Sequence, residues 1–376
     1  MVSDSPGKIA EQELADADDL YRELREGSYE AGERLIASFD ADALDDQSSE
    51  VLAVRQRQAT IRRGASDVLA RLEEAALADS NAPYARAVHH VLHAFDEDEP
   101  PQEPPPLSDL TPQPELTTRL LFSSLGVGPN EALAAITSAK LLRREMADYG
   151  LSGADRVSLS ASSPIGRVYA VLSGLWEVQG TRLFHPNRNG TLRYRTVLLT
   201  PISTIIEGKA DEETPLLRYV LGSAMAATMP PFALVEALSE TEVERALTAL
   251  LAGFGPVGAV GKTSPQEMRL AEDLWHVVGA SAERRLRELC ADPASMSYQT
   301  AQRRTRLACR RAGLFASGDL ATAIRETIRE LDIEVRTPLG AAGALEELCD
   351  HPAIADLVDL AILPEYAEIR WHHQPQ

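Results

Sequence analysis

The stretch VLLTPISTIIEGKADEETPLLRYVLGSAMAAT, residues 197–228, decides the fold of this chain. Its pattern is that of an apolar strand, a short helix, an acidic turn and then a helix entered through LLRYVLG. Residues 219–235 carry no charge, but they are shorter than the roughly 20 residues of a membrane span and are broken by Pro230 and Pro231. We therefore expect buried helices at the centre of a soluble, mainly helical protein.

The segments on either side of this stretch extend the pattern. Residues 181–184 and 191–200 flank the sequence HPNRNG, whose Asn189-Gly190 pair is a strong reverse-turn signal and predicts a β-hairpin. Helical periodicity predicts these helices: 130–149, 164–178, 211–228, 231–237, 240–253, 265–278, 280–291, 297–313, 318–331, 344–349, 354–360 and 365–371. The predicted fold class is mainly α, with a larger helical domain containing the β-hairpin over 117–342 and short helices over 343–376.

The N-terminal part differs from the rest in charge. The first 116 residues hold 26 acidic and 10 basic side chains, whereas the whole chain of 376 residues has a formal net charge of −20. Residues 96–116 are acidic and contain seven prolines, which predicts an extended, semi-rigid linker. Residues 1–95 show helical spacing with short polar turns, which predicts an acidic helical-hairpin domain. This domain is weakly similar to tetratricopeptide repeats, although the repeat of about 34 residues is not preserved.

Composition argues against several classes of function. With 57 acidic against 37 basic residues, the chain would be repelled by the phosphates of nucleic acid. Cys290, Cys309 and Cys349 are far apart, so they form neither a CxxC site nor a disulfide framework. The N-terminus lacks the pattern of a secretory signal, and together these features predict a cytoplasmic protein. Four lysines against 33 arginines are typical of a GC-rich bacterial genome.

Two segments resemble a known enzyme family. Residues 197–228 have the shape that ends in HExxH in zinc metallopeptidases of the heat-shock-protein-X and CaaX-prenyl-endopeptidase type. The segment TRLACRRAGLFASGDLATAIRE, residues 305–326, resembles the later helix that supplies the third metal ligand from ExxxD. Large bacterial tetratricopeptide-repeat proteins of unknown function carry a C-terminal module with the same two segments, and the chain is most similar to that group. The resemblance covers residues 117–331.

The resemblance also implies that the catalytic residues are missing. In HExxH the two histidines share a zinc ion on one helix face and the glutamate polarises the bound water. Ser223 and Ala227 stand at the histidine positions, and Ala224 stands at the position of the general base. Arg306 and Arg310 stand where the ligand carboxylate and its supporting aspartate would be, and cations there repel zinc. We expect a degenerate module with no metal, no cofactor and no peptidase activity.

The arginines of this later helix suggest a second role. Arg303, Arg306 and Arg310 lie three and four residues apart, so a helix places them on one face. This face could dock an acidic protein partner, including the acidic N-terminal domain or linker of the same chain. The alternative is a solvated helix face whose arginines pair with Glu283 and Glu288. Exposed ion pairs of this kind contribute little to stability and do not by themselves indicate a function.

A glycine-rich segment invites comparison with a phosphate-binding loop. GFGPVGAVGKTS, residues 253–264, ends in Gly-Lys-Thr-Ser, but Pro256 stands where the first glycine of GxxxxGK[ST] belongs. A helical pattern precedes the segment in place of the required strand. A nucleotide-dependent switch would depend on Lys262 and Thr263 alone. We interpret the segment as an interhelical loop, with Ser264 and Pro265 starting the next helix.

The histidines offer no complete site. His89 and His93 stand four residues apart in HHVLH and could clamp a metal, but no further cysteine or histidine lies nearby in sequence, so helical packing is the favoured interpretation. His185 and His276 have no neighbouring serine or cysteine that would form a nucleophile with its base. We expect a non-catalytic protein-interaction or scaffold protein. The alternatives are a hydrolase with an unrecognised active site that uses His185 or His276, and the nucleotide switch.

Overall fold

The computed structural model describes residues 83–96, 103–159, 163–176, 181–341, 344–349 and 351–372. Most of the predicted helical-hairpin domain, residues 1–82, and residues 97–102 of the predicted linker lie outside these ranges. Helix α1, Pro83–Leu92, is the last helix predicted before the linker. Within the predicted linker, a 3₁₀ turn forms at Leu107–Asp109 and the next helix begins at Pro114.

The described residues are mainly helical with a small three-stranded sheet, which confirms the predicted fold class. In chain order the further elements are α2 (Pro114–Phe122), α3 (Pro129–Ser138), α4 (Pro164–Trp176), β1 (Arg182–Asn187), β2 (Arg193–Val197), β3 (Ser203–Glu207), α5 (Pro215–Ala227), α6 (Pro230–Ala237), α7 (Glu240–Phe254), α8 (Pro265–Val277), α9 (Ala280–Leu289), α10 (Tyr298–Ser317), α11 (Leu320–Leu331), α12 (Ala344–Cys349), α13 (Pro352–Ala361) and α14 (Pro364–Arg370).

The chain divides into two compact units. Among the described residues, one unit comprises those between 83 and 103 together with those between 324 and 372, and the other comprises those between 104 and 323. These divisions differ from the predicted boundaries at residues 116 and 342. In the first unit, α1 packs against α13 and α14, and the ring of buried His90 lies 5.1 Å from that of Trp371.

The core of the larger unit is built around α5 and α10, which pack along each other, while α3 packs on α6 and α7 on α8. The local sequence explains where these helices begin. Thr214 caps α5 by accepting a hydrogen bond from the amide of Leu217, and proline occupies the first turn, where no amide donor is needed. Ser264 with Glu267 forms a capping box at the start of α8.

The sheet corrects two predictions. Its order is β1-β3-β2, with β1 parallel and β2 antiparallel to β3. The predicted hairpin between 181–184 and 191–200 therefore does not pair directly, although the chain does turn at Gly190, where φ is 89°. The hairpin is formed by β2 and β3 instead. The short helix predicted between the apolar strand and the acidic turn is wrong: STIIE, residues 203–207, is the central strand, because ladder partners on both sides satisfy its backbone.

The predicted long helix 130–149 is also wrong, since α3 ends at Ser138 and a separate 3₁₀ turn covers Met146–Tyr149. Lys140 and Leu142 have φ values of 57° and 60°, which break the helix. The following segment bonds to the β2–β3 connection, where the amide of Arg144 donates to the carbonyl of Leu198 at 2.9 Å. These long-range contacts override the local helix propensity.

No single described helix is long and apolar enough to cross a membrane, although α5 and α6, bent by 103°, meet that test as a pair.

Candidate functional site

The positions that the resemblance aligns with HExxH lie on α5, at its crossing with α10. Ser223, Ala224 and Ala227 on α5 are all buried, at 3%, 0% and 0% exposure. The hydroxyl of Ser223 donates a hydrogen bond to the carbonyl oxygen of Cys309 on α10 at 2.9 Å. The serine at a predicted histidine position therefore joins the two helices directly.

Two glycines bring the helices into close contact. A Cβ atom on Gly222 would lie 2.5 Å from the carbonyl oxygen of Ala312 and 2.5 Å from the Cβ of Ala316. A Cβ atom on Gly313 would lie 2.5 Å from Oγ of Ser223 and 2.6 Å from the ring of Tyr219. Backbone and small side chains thus occupy the crossing. The described ranges contain no group of three or more His, Cys, Asp or Glu side chains placed to hold a metal ion.

The three arginines of α10 do not share one exposed face, which corrects the predicted docking surface. Arg303 is exposed, but Arg310 is only 6% exposed, because α10 is buried along most of its length. Arg306 lies between these extremes, with 41% of its side chain exposed, and its Nη1 is 3.3 Å from Oε1 of Glu236. The acidic side chains predicted to pair with these arginines, Glu283 and Glu288, form ion pairs with Arg287 and Arg285 instead.

Sequence analysis does not predict the polar cluster that surrounds Arg306. The phenol of Tyr194 on β2 lies beside Cys309, Glu236 and Arg306, and Glu236 exposes 6% of its side chain. Burial raises the pKa of Tyr194 well above its usual range, and Cys309 and Glu236 act in the same direction. The phenol therefore stays protonated and serves as a hydrogen-bond donor. Three elements, β2, α6 and α10, contribute to this cluster, so spacing alone could not reveal it.

A second feature of the larger unit is an arginine-lined cleft of about 290 Å³. Its walls come from the segment after α3, the end of α6, and the first turns of α7 and α8. The lining residues are Leu142, Arg143, Arg144, Leu238, Glu242, Arg245, Ala246, Gln266, Glu267 and Leu270. The cleft thus combines apolar side chains with three guanidinium groups.

The charges in the cleft are unequally compensated. The guanidinium of Arg143 donates to the carbonyls of Leu199 and Thr137, both at 3.0 Å, and its desolvation lowers its pKa. Arg144 is paired with Glu242 at 2.7 Å. Arg245 makes no hydrogen bond or ion pair with any residue that the structure describes.

Both glutamates of the cleft are already engaged in helix capping. Glu242 accepts from the amide and hydroxyl of Ser239, and these hydrogen bonds, more than Arg144, lower its pKa. Glu267 accepts from the amide of Ser264 at 2.6 Å. The cleft holds three arginines and two glutamates that already cap helices, and one of the three arginines, Arg245, has no partner among the described residues, so the cleft favours an incoming anionic group.

The capped start of α8 also bears on the phosphate-loop comparison. Lys262 and Thr263 lie in the loop between α7 and α8, and Ser264 starts the helix, as predicted. The carboxylate of Glu267 occupies the N-terminus of that helix, where a phosphate would bind. A helix, α7, precedes the loop in place of a strand.

The histidines are distributed among packing positions and the surface. The rings of His89 and His93 stack at 4.3 Å, and Nδ1 of His93 lies 3.4 Å from Oδ2 of Asp96. His185 donates from Nε2 to the carbonyl of Gly208 at 2.8 Å. His276 lies exposed on α8. Neither His185 nor His276 lines the arginine-lined cleft.

Comparison of the chain with protein-family models, with curated proteins and with solved structures finds no match. The resemblance to zinc metallopeptidases therefore stays a prediction from the two sequence segments.

Proposed function

We propose that this protein acts by binding another protein, and that its metallopeptidase-like part is a packed, non-catalytic platform. The observation that carries the proposal is the close crossing of α5 and α10. Ser223 and Gly222 lie against the backbone of α10 at the positions that the resemblance aligns with the HExxH helix of the zinc metallopeptidases. A metal with three protein ligands and an open position would require these helices to be apart.

Exposed apolar side chains on α8 support a binding role. Met268, Trp275 and Val277 expose 43%, 41% and 54% of their surface. Trp275 is held in place, because its ring stacks on Phe254 at 5.5 Å and its indole N–H donates to the carbonyl of Gly253 at 3.1 Å. Tryptophan, methionine and arginine are enriched in protein interfaces, and rigid aromatic side chains lose little entropy when they bind.

Affinity capture tests this proposal. The full chain, tagged at its C-terminus, is used as bait in an extract of the source cells at physiological salt, with the tag alone as the control bait. We expect one protein to be enriched in near-stoichiometric amount, with or without a zinc chelator. The absence of any enriched protein under these conditions would contradict the proposal.

The same preparation also tests the non-catalytic part of the proposal. The captured partner should be recovered at its full length after prolonged incubation with the bait. Chelator-sensitive cleavage of the partner would mean that the protein is an enzyme whose substrate was captured.

A further inference from the structure

We propose that the arginine-lined cleft binds an acidic peptide segment in which an aspartate or glutamate stands next to an aliphatic residue. The proposal rests on the protein-binding function above and assigns it a site and a partner chemistry. Arg245 would pair with the carboxylate, and the leucines of the cleft would receive the aliphatic side chain.

The charge of the cleft selects a carboxylate. The chain as a whole has a net charge of −20, yet this cleft is lined by three arginines and two glutamates, and both glutamates are bonded to helix N-termini. Arg245 has no partner among the described residues, so a ligand carboxylate displaces no existing ion pair there. A planar guanidinium binds a carboxylate through two parallel hydrogen bonds.

The apolar side chains of the cleft favour a neighbouring aliphatic group. Leu142, Leu238, Ala246 and Leu270 line the same space. Leu142 is 39% exposed. It lies in the turn that follows α3, where its φ is 60°. An aliphatic ligand group that covers Leu142 would remove apolar surface from water, which stabilises the complex by roughly 25 cal/mol for each Å² of apolar surface buried.

The openness of the cleft favours a peptide over an enclosed small molecule. Pockets for small molecules bury about 70–90% of their ligand. In this cleft the side chains of Arg144 and Glu242 are 41% and 38% exposed, and Leu142 is exposed to a similar degree. An extended chain can lie in such an open cleft and continue beyond it on both sides, so we assign the site to a segment of a protein partner.

Fluorescence anisotropy with the full chain tests this inference. The probe is a fluorescein-labelled short peptide that alternates leucine with aspartate, and its counterparts alternate leucine with asparagine or with lysine. We expect the aspartate peptide to bind at least about tenfold more tightly than the asparagine peptide, and the lysine peptide not to bind. Equal affinity for the aspartate and asparagine peptides would overturn the proposal.

Two matched charge reversals locate the site. Arg245→Glu should weaken binding of the aspartate peptide by at least about tenfold, whereas Arg284→Glu should leave it unchanged. Arg284 is an exposed arginine of α9 that also lacks a partner among the described residues and lies outside the cleft, so the charge change is the same. Equal effects of the two variants would contradict the assignment of the cleft.

Two further measurements test the contribution of the apolar wall and distinguish a peptide from a small molecule as the occupant of the cleft. Leu142→Asn removes the apolar wall while keeping a residue that tolerates positive φ, and it should weaken binding several-fold at unchanged melting temperature. Free 4-methylpentanoate should compete far more weakly than the unlabelled peptide. Competition at equal concentration would show that a small carboxylate is the occupant and would overturn the peptide assignment.

The outcomes distinguish this inference from the function on which it rests. If Arg245→Glu bait still captures the partner that the native chain captures, the cleft assignment is wrong and the protein-binding function stands. If the native chain captures no partner, the proposed function itself is contradicted.

Discussion

Replacing Gly222 with alanine should force α5 and α10 apart. The added Cβ would lie 2.5 Å from the carbonyl oxygen of Ala312 and from the Cβ of Ala316, whereas carbon atoms in contact lie about 3.5–4.0 Å apart. Neither neighbouring atom can rotate away, because one belongs to the main chain and the other is fixed to it. The helices must therefore separate by about 1 Å.

The expected loss of stability follows from two opposing effects. Alanine is favoured over glycine inside a helix by about 1 kcal/mol. Overpacking of a core costs about 1–3 kcal/mol, and the rigid neighbours of Gly222 place this case near the upper end. We expect a net loss of about 2 kcal/mol in the free energy of unfolding, which corresponds to a melting temperature lower by about 4–8 °C.

Gly174→Ala is the matched control for this experiment. Gly174 is also a helical glycine, in α4, but no atom lies within 4 Å of the position of its Cβ. The control should be as stable as the native chain or more stable by roughly 0.5–1 kcal/mol. Urea unfolding followed by circular dichroism measures both variants. If Gly222→Ala is as stable as Gly174→Ala, the close crossing described here is wrong.

Three further predictions test other parts of the structure. Ser223→Ala removes the hydroxyl that donates to the carbonyl of Cys309 and should lower the free energy of unfolding by about 1 kcal/mol, and an unchanged urea midpoint would mean that this hydrogen bond is not formed. Arg306→Ala removes the cation beside the nearly buried Glu236 and should cost about 1–2 kcal/mol, since Arg306 is itself partly exposed. Adding Glu236→Gln to that variant should recover part of the lost stability, because the buried charge is removed. A further decrease in the free energy of unfolding would argue against the ion pair between Arg306 and Glu236. Burial raises the pKa of Cys290 to about 11, so the folded state keeps a proton that the unfolded state releases above its own pKa of about 8.5. Stability should therefore fall as the pH rises from about 9 to about 11, and a Cys290→Ala variant with the same slope in urea titrations would assign that loss to other groups.

Helix starts were the part of the fold that local sequence predicted best. Ser264, Pro265 and Glu267 combine a cap, a proline in the first turn and a capping-box glutamate, and α8 begins at Pro265. Ser239 and Glu242 act in the same way at the start of α7, which begins at Glu240 as predicted. Such signals lie within a few residues of one another, so they can be recognised without knowledge of tertiary contacts.

Elements that depend on distant partners could not be predicted in this way. STIIE is a strand because β1 and β2 pair with it on either side, whereas its own sequence is compatible with a short apolar helix. The predicted long helix stops at Ser138, and the guanidinium of Arg143 donates to the carbonyls of Thr137, in the last turn of α3, and of Leu199, in the β2–β3 connection. The strand depends on partners that are distant in the sequence, and the end of α3 depends on a turn that its local sequence does not predict.

The candidate sites show the same difference between local signals and long-range contacts. The two segments that resemble the metallopeptidases lie on neighbouring helices, α5 and α10, where Ser223 and Cys309 are in contact. The prediction for Arg310 was wrong, because spacing reveals which residues share a helix face but not whether another helix covers that face. The cleft around Arg245 was missed entirely, since four separate segments contribute to it.

The measurement that tests the central claim most directly is the zinc content of the full chain together with its peptidase activity. The chain is purified without chelator, dialysed against zinc, and measured by atomic emission and by hydrolysis of an unstructured labelled protein. A closed crossing at Ser223 and Gly222 predicts that neither stoichiometric zinc nor chelator-sensitive hydrolysis is found. One equivalent of zinc with hydrolysis that a chelator abolishes would contradict the account of this protein as a non-catalytic binding platform.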